Sequence, residues 1–377
     1  MKIKEVPFSK PDIIDSDLIN VKDVIKSGWL THGKYTEKLE DLFCKYTGTK
    51  FATTVSNCTA GLHLSCLSAG FGPGDEVIVP TQTHTATAHA VEFTGAKAVF
   101  CDVDLISGNI LHDNIEKIIT KKTKGLIPVH MAGLSCNMER IESICKNYNL
   151  ALIEDCAHAI GTIYNKKHVG NFGITGNFSF YPTKQITTGE GGIVVSNHKS
   201  VIEKIKKLKA FGIDTPPEKR NKPGFYDVQS LGYNYRMTDF QAALGAGQME
   251  RYKSNLETRK NNAQYYIDQL RSINAIDFPE YSDDCSYFLF QIILNSNINR
   301  DKILKGLIKN KIGVSIHYAV PVPFMSYYVK KYGYKIGDFP NAEKYAAQNI
   351  SLPVHSNLSR DEIDYVCESL VKLIGEN

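Results

Sequence analysis

The run Phe178-Ser-Phe-Tyr-Pro-Thr-Lys-Gln-Ile-Thr-Thr-Gly-Glu-Gly-Gly192 sets one lysine, Lys184, between an aromatic segment and a cluster of three glycines. A solvated loop lysine would satisfy this run taken alone. What precedes it changes the reading. From about residue 50 onward, short apolar runs alternate with amphipathic segments. Lys50–Ser56 reads as a strand, Thr59–Ala69 as a helix, and Glu76–Pro80 as a strand after the turn Gly72-Pro-Gly-Asp75. A helix over Thr85–Thr94, a strand at Lys97–Cys101, a helix at Asp113–Thr120 and a strand at Gly125–His130 follow. The helix Met138–Tyr148 and the strand Ala151–Glu154 lead to two further strands, Asn177–Tyr181 and Gly192–Ser196, on either side of Lys184. Buried apolar strands separated by amphipathic helices specify an α/β fold: a mostly parallel, mixed sheet covered on both faces.

Past residue 200 the rhythm changes. A long helix is expected over Asp239–Leu270, then a strand at Tyr287–Leu294, a helix at Arg300–Lys309, a strand at Val314–His317 and a final helix at Arg360–Ile374. This suggests a small α+β unit over 251–377, following a large domain over 1–250 that opens with an N-terminal arm, 1–25. A chain of 377 residues exceeds what one core usually supports, which agrees with that division.

Composition narrows the function. Hydrophobic residues make up 42% and charged residues 22%, and the net charge is +4 with the lysines dispersed, so neither nucleic acid nor a membrane surface is an expected partner. The nine cysteines are odd in number and none stands in Cys-x-x-Cys spacing, so the expectation is a reducing, cytoplasmic setting with no disulfide framework and no metal site. The opening MKIKEVPFSKPD has no apolar signal core, and no uncharged apolar run approaches the roughly 20 residues of a membrane span. In such a setting the sequon Asn57-Cys58-Thr59 carries no meaning.

In doubly wound sheets ligands sit at the carboxyl ends of strands. After the first strand, Ser56-Asn-Cys-Thr-Ala-Gly61 opens a helix; it is either a plain N-cap or a phosphate cradle. After the second, His84 in Thr81-Gln-Thr-His84 is either structural or a planar group against a flat ligand. After Ala151–Glu154, Asp155-Cys-Ala-His158 offers a carboxylate that is costly to bury without a cationic partner such as a protonated ring nitrogen. Ser179 and Lys184 follow the next strand, where a desolvated lysine becomes a usable amine nucleophile and the glycines admit close approach of the backbone. Each signal alone favours the bland reading. Together, in the order 59, 84, 155, 184, they are the parts needed by pyridoxal 5'-phosphate (PLP). Two competing motifs fail. Gly28-Trp-Leu-Thr-His-Gly-Lys34 mimics a P-loop, but Tyr35 replaces the Ser/Thr magnesium ligand and a helix, not a strand, precedes it. No Gly-x-Gly-x-x-Gly occurs.

The chain resembles the DegT/DnrJ/EryC1/StrS family of PLP-dependent sugar aminotransferases, of fold type I, over nearly its full length. The resemblance rests on Ser27-Gly-Trp-Leu-Thr31, Ser56–Leu62, Gly72–Pro80, Ile127-Pro-Val-His130, Glu154–His158, Phe178–Lys184, Gly189–Gly192, Leu231-Gly-Tyr-Asn-Tyr-Arg236, Gly313–Tyr318 and Phe339-Pro-Asn-Ala-Glu343. It implies that Lys184 holds the cofactor covalently and that Asp155 pairs with its ring nitrogen. His84 would stack on the ring and His158 cover it. Thr59, Ala60 and Ser179 would hold the phosphate, and Asn234 would reach the phosphate of a neighbouring subunit in a homodimer. Trp29, Tyr181, His317 and Tyr318 would line the substrate side. The implied reaction is ping-pong transamination of a keto-sugar, nucleotide-linked in most relatives, with L-glutamate as donor. Cys58 departs from the glycine many members have there. Relatives that dehydrate sugars carry histidine in place of the lysine; an amino-shikimate-type synthase and a non-catalytic regulator remain alternatives on the same fold. The sugar, the carbon aminated and its stereochemistry are not written in any motif.

Overall fold

The computed structural model describes residues 5–213, 222 and 224–376; residues 1–4 of the expected arm and Asn377 lie outside the described residues. In chain order, α1 is Asp15–Ser27, α2 Lys34–Thr47, β1 Phe51–Val55, α3 Cys58–Ala69, β2 Glu76–Pro80, α4 Thr85–Glu92, β3 Lys97–Cys101 and α5 His112–Ile115. Then come β4 Thr123–Leu126, α6 Met138–Asn147, β5 Ala151–Asp155, a small hairpin of β6 Ile163–Tyr164 and β7 Lys167–His168, β8 Thr175–Ser179, β9 Gly192–Ser196 and α7 Lys199–Leu208. The rest comprises α8 Asp239–Leu270, β10 Ile276–Asp277, β11 Phe290–Leu294, α9 Arg300–Lys309, α10 Ser326–Tyr332, α11 Pro340–Gln348, β12 Asn349–Leu352 and α12 Arg360–Gly375.

Seven strands form the main sheet in the order β1-β9-β8-β5-β4-β2-β3. All run parallel except β9, which is antiparallel to both its neighbours. Because Gly192 pairs with both Val55 and Ser179, the start of β9 lies on the same edge as the carboxyl ends of β1 and β8. That edge also receives the ends of β2 and β5, so every segment singled out after a strand converges there. The central strands are apolar on both faces: Val77, Ile78 and Val79 of β2 are fully buried, as helices on each side require.

A second core surrounds the antiparallel sheet β10-β11-β12 and includes Tyr266, Phe290, Ile303, Leu352 and Leu370. Helix α8 serves both cores. Ala242, Ala246 and Tyr252 pack with the main sheet, while Ala263, Tyr266 and Leu270 pack with the second. The first described residues run along this second unit, where Val6 is fully buried and exchanges backbone hydrogen bonds with Lys311 and Gly313 (3.0 and 2.7 Å). Arg251 of α8 then binds Asp12 and Asp17 at 3.0 and 2.6 Å.

Four expected elements differ. The helix expected over Asp113–Thr120 is one α turn, α5, plus a 3-10 turn at Glu116–Ile118. The strand expected to reach His130 ends at Leu126; Pro128 has no N–H to donate, and Val129 resumes pairing only as a single bridge to Asp155. The strand expected from Tyr287 begins at Phe290, since Tyr287 has φ +47°. Val314–His317 forms one bridge, Ser315 to Ser351, because the His317 N–H turns to the Asn349 side chain (3.1 Å). The P-loop mimic has structural causes. Gly28 (φ +72°) caps α1, and a Cβ on Gly33 would lie 2.2 Å from the Asp239 carboxylate, which receives Thr36 N–H and O–H at 2.8 Å. Among the described residues no helix is long and apolar enough to cross a membrane.

Candidate active site

A cavity of about 650 Å³ opens at the carboxyl edge of the main sheet. It is lined by Thr59, Ala60, His84, Asp155, His158, Ser179, Tyr181, Lys184, His317 and Tyr318, so ten of the residues singled out in the sequence meet in one place. Trp29 and Asn234 do not line it. Trp29 is exposed, its indole N–H donating to the His32 carbonyl at 3.1 Å. Asn234 is exposed, its Oδ1 accepting from Arg236 Nε at 3.0 Å.

The floor is built by α3. Asn57 caps it, its Oδ1 accepting from Ala60 N–H at 2.8 Å, and Gly61 N–H returns to the Asn57 carbonyl at 3.2 Å. The N–H groups of Cys58 and Thr59 precede Gly61, the first donor within the helix, so they have no acceptor inside it and lie at the positive end of the helix dipole. β9 passes close beneath: a Cβ on Gly192 would lie 2.7 Å from the Cys58 nitrogen. Glycine there leaves the helix terminus open, as a phosphate cradle requires. Ser179, which accepts from Tyr181 N–H at 3.4 Å, borders the same corner.

Asp155 is buried at the end of β5. Its Oδ1 accepts from Ala157 N–H at 3.1 Å and its Oδ2 from the Thr87 hydroxyl at 2.7 Å. Burial pushes this carboxyl above its usual range, against the pull of those two hydrogen bonds and of Lys184. Lys184 follows a turn closed by its N–H to the Tyr181 carbonyl (2.9 Å), and its Nζ lies 4.2 Å from the centre of the Phe288 ring. Burial lowers its amine to about 8, opposed by Cys58 and Asp155. Phe288 also lies against His158, ring centres 4.4 Å apart. His158 Nδ1 accepts from Ala132 N–H at 3.4 Å, leaving Nε2–H to donate to the Tyr318 hydroxyl at 3.3 Å. Burial first, then Lys184, lowers His158, His84 and His317, the last to about 3, so three neutral imidazoles surround one amine. His84 caps α4 through Nδ1, accepting from Ala86 N–H at 3.2 Å.

Sequence reading missed Phe288, Thr83, Thr87 and Glu190. Phe288 sits in a segment that reads as plain strand. Glu190 lay inside the glycine cluster but was given no role; Thr87 stands one turn beyond His84, a spacing that could have found it. Behind Asp155, His130, Glu154 and Cys156 bring their ligand atoms within 4.8 Å of one another, although no metal site was expected. Glu154 accepts from three backbone N–H groups, of Gly170, Phe172 and Gly173, at 2.7–2.8 Å, and from His130 at 3.2 Å. Those bonds anchor the loop before β8.

Residues 11–371 match the model of the DegT/DnrJ/EryC1/StrS aminotransferase family. The chain belongs to this family. It is similar to the spore coat polysaccharide biosynthesis protein SpsC of Bacillus subtilis, 35% identical over 98% of this chain and 97% of the relative. GDP-perosamine synthase of Escherichia coli O157:H7 is 34% identical over 98% of each chain. Among solved structures, Helicobacter pylori PseC, an aminotransferase of pseudaminic acid biosynthesis, superposes with TM-score 0.93 at 28% identity over 99% of this chain and all of that one. The candidate sugar aminotransferase Spr1654 of Streptococcus pneumoniae, in its PMP form, gives 0.92 at 30% identity over 98% and 99%; a PLP form also matches. Like these DegT-family enzymes the protein is a PLP-dependent aminotransferase of fold type I, and its residues fit the cofactor: open N–H groups over a glycine for a phosphate, a buried acid for a ring nitrogen, and a desolvated amine for an aldehyde.

The lowered lysine sets a pH dependence. Only the neutral amine attacks an aldehyde, so PLP capture by apo-protein is half-maximal near pH 8, levels off above it, and slows about tenfold per pH unit below it. Stopped-flow absorbance at fixed PLP checks this; a midpoint near pH 10.5 would show a solvated amine.

Proposed function

We propose that this aminotransferase transfers the amino group of L-glutamate to a keto-sugar carried on a nucleotide, a 4-keto-6-deoxy or 3-keto hexose, and so makes an amino sugar for a surface polysaccharide, another glycan or a natural product. The names of the relatives support this reading: one makes a GDP-linked sugar, one serves a spore coat polysaccharide, and one serves pseudaminic acid. The observation that carries it is the meeting of the Lys184 amine with Asp155 at the open end of α3. A sugar dehydratase is disfavoured by Lys184 itself.

PLP, when bound, supplies an aldehyde for capture of an amine and a ring that accepts the electron pair left by deprotonation. Lys184 Nζ holds the cofactor at rest. Freed from the cofactor, the same amine would be placed to take the proton from the donor Cα. Asp155 would hold positive charge at the ring nitrogen. The α3 N-terminus with Thr59, Ala60 and Ser179 would hold the phosphate, and His84 and His158 would flank the ring. Tyr181, His317 and Tyr318 face the substrate. Asn234, with its Oδ1 engaged by Arg236, presents its N–H₂ to the phosphate of a partner subunit, and Trp29 stands at the substrate side of that assembled homodimer. In this reading residues 1–250 form the PLP-binding domain and 251–377 the smaller one, in a cytoplasmic enzyme.

The test separates the two half-reactions. Holoenzyme mixed with L-glutamate alone releases one equivalent of 2-oxoglutarate per site and changes its visible spectrum once. After desalting, a nucleotide-linked keto-sugar reverses the change and emerges aminated. A spectrum that moves only when both substrates are present, or that no panel member among nucleotide keto-sugars reverses, overturns the proposal. Light scattering on the same sample is expected to find a dimer; a fully active monomer removes Asn234 from the scheme.

A further inference from the structure

Behind Asp155 lies a short line of hydroxyls that the family roles above do not use. Thr87 Oγ1 lies 2.7 Å from Asp155 Oδ2 and 2.6 Å from Thr83 Oγ1. Thr87 is fully buried, Thr83 is 1% exposed, and Thr83 lines the cavity. Thr83 stands just before His84, the cap of α4, and Thr87 lies in the first turn of that helix. An ionised carboxylate only accepts, so the single Thr87 proton points to Asp155. Thr87 must then accept from Thr83, and the Thr83 lone pairs remain for the cavity. The direction of every proton in the line follows from the charge on Asp155.

We propose that Thr87 and Thr83 are positioning residues: a directed hydroxyl relay that keeps Asp155 ionised and aims its carboxylate at the cofactor ring nitrogen. This rests on the reading of Asp155 as the ring-nitrogen partner. The need for such a device is visible in the surroundings. Asp155 is 4% exposed, and its other oxygen has one backbone donor, Ala157 N–H. The titratable groups around it are Lys184 at the cavity, His84 on α4, His130 and Cys156 behind, Cys58 on α3 and Tyr318 from the C-terminal unit. Hydrogen bonds to a carboxylate favour its ionised form, and within the chain Thr87 and Ala157 supply them. Valine for threonine removes the donor and keeps the shape, so the loss is electrostatic and not a cavity.

The measurement is the visible absorbance of PLP-loaded enzyme against pH, without substrate. Thr87→Val is expected to move the apparent titration of the bound chromophore by about one to two pH units, the worth of one hydrogen bond to a charged group. It should also cut kcat by about ten- to a hundredfold with KM for L-glutamate little changed. Thr87→Ser keeps the hydroxyl and restores the wild-type titration. Thr83→Val, one hydroxyl further out, gives a smaller shift in the same direction, and it carries the test alone if Thr87→Val does not accept PLP. Superimposable titration curves for wild type and both valine variants overturn the relay, even if turnover falls, because a purely structural role would lower turnover without moving the curve. Failure of the wild type itself to colour with PLP would instead remove the cofactor reading on which the relay stands.

Discussion

Lys184→Ala lowers turnover by about four orders of magnitude, the upper end of what one positioned acid–base group supplies, and leaves a folded protein. The expected loss is large because in the proposed mechanism one amine carries two tasks, holding the cofactor and moving a proton, and no other lysine among the described residues lines the cavity. Lys209, the other lysine whose amine burial lowers to about 8, cannot substitute. It sits beside β1, donating to Thr53 Oγ1 and the Thr54 carbonyl at 2.6 and 2.7 Å with Glu40 at 3.9 Å. Borohydride treatment of the loaded wild type therefore fixes PLP to the peptide containing residue 184 and to no other; in Lys184→Ala the label is absent while the circular dichroism spectrum is retained. Turnover at the wild-type rate in that variant, or label on a second peptide, would sink the assignment.

Asp155→Asn is the second large effect: kcat falls about 10²- to 10³-fold, the range for removal of a preorganised charge from a transition state. Asparagine retains an acceptor for Thr87 or Ala157, so PLP still binds, but positive charge on the ring loses its counter-ion. Stability moves the other way. Burial raises the folded pKa of Asp155 above its unfolded value, so the folded state binds more protons in the window between them and loses stability as pH rises through it. Above that window the cost of a buried carboxylate is fully present, and asparagine removes it. Apo-Asp155→Asn should therefore melt at or above the wild-type temperature at pH 7, while the increase in Tm on adding PLP shrinks. An apo variant that melts lower, with kcat unaffected, would show Asp155 to be structural only.

Much of the architecture was legible because its cause is local. The buried strand Glu76–Pro80, the turn-bounded helix α3 and the 32-residue α8 declare themselves by apolar pattern and capping residues. The meeting of Thr59, His84, Asp155 and Lys184 was legible for a topological reason: parallel strands deliver their carboxyl ends to one edge. What escaped depended on contacts distant in sequence. Phe288 reaches Lys184 across more than a hundred residues, with Tyr287 held at φ +47° just before it, and no periodicity announces either fact. His317 leaves its expected strand because Asn349, on another element, takes its N–H. Helix α7, by contrast, buries Ile202, Ile205 and Leu208 at helical spacing beneath a lysine-rich outer face, an amphipathic pattern that was legible and went unread.

Helix α8 runs unbroken through 32 residues, about 48 Å at 1.5 Å per residue, with its first half in one core and its second half in the other. One continuous run of hydrogen-bonded backbone therefore joins the two cores where a loop could have stood. The cavity takes wall from both sides of that span: Lys184 follows the main sheet, while Phe288 and His317 come from the chain beyond the helix, so the helix's length is part of the pocket's shape although few of its residues lie near it.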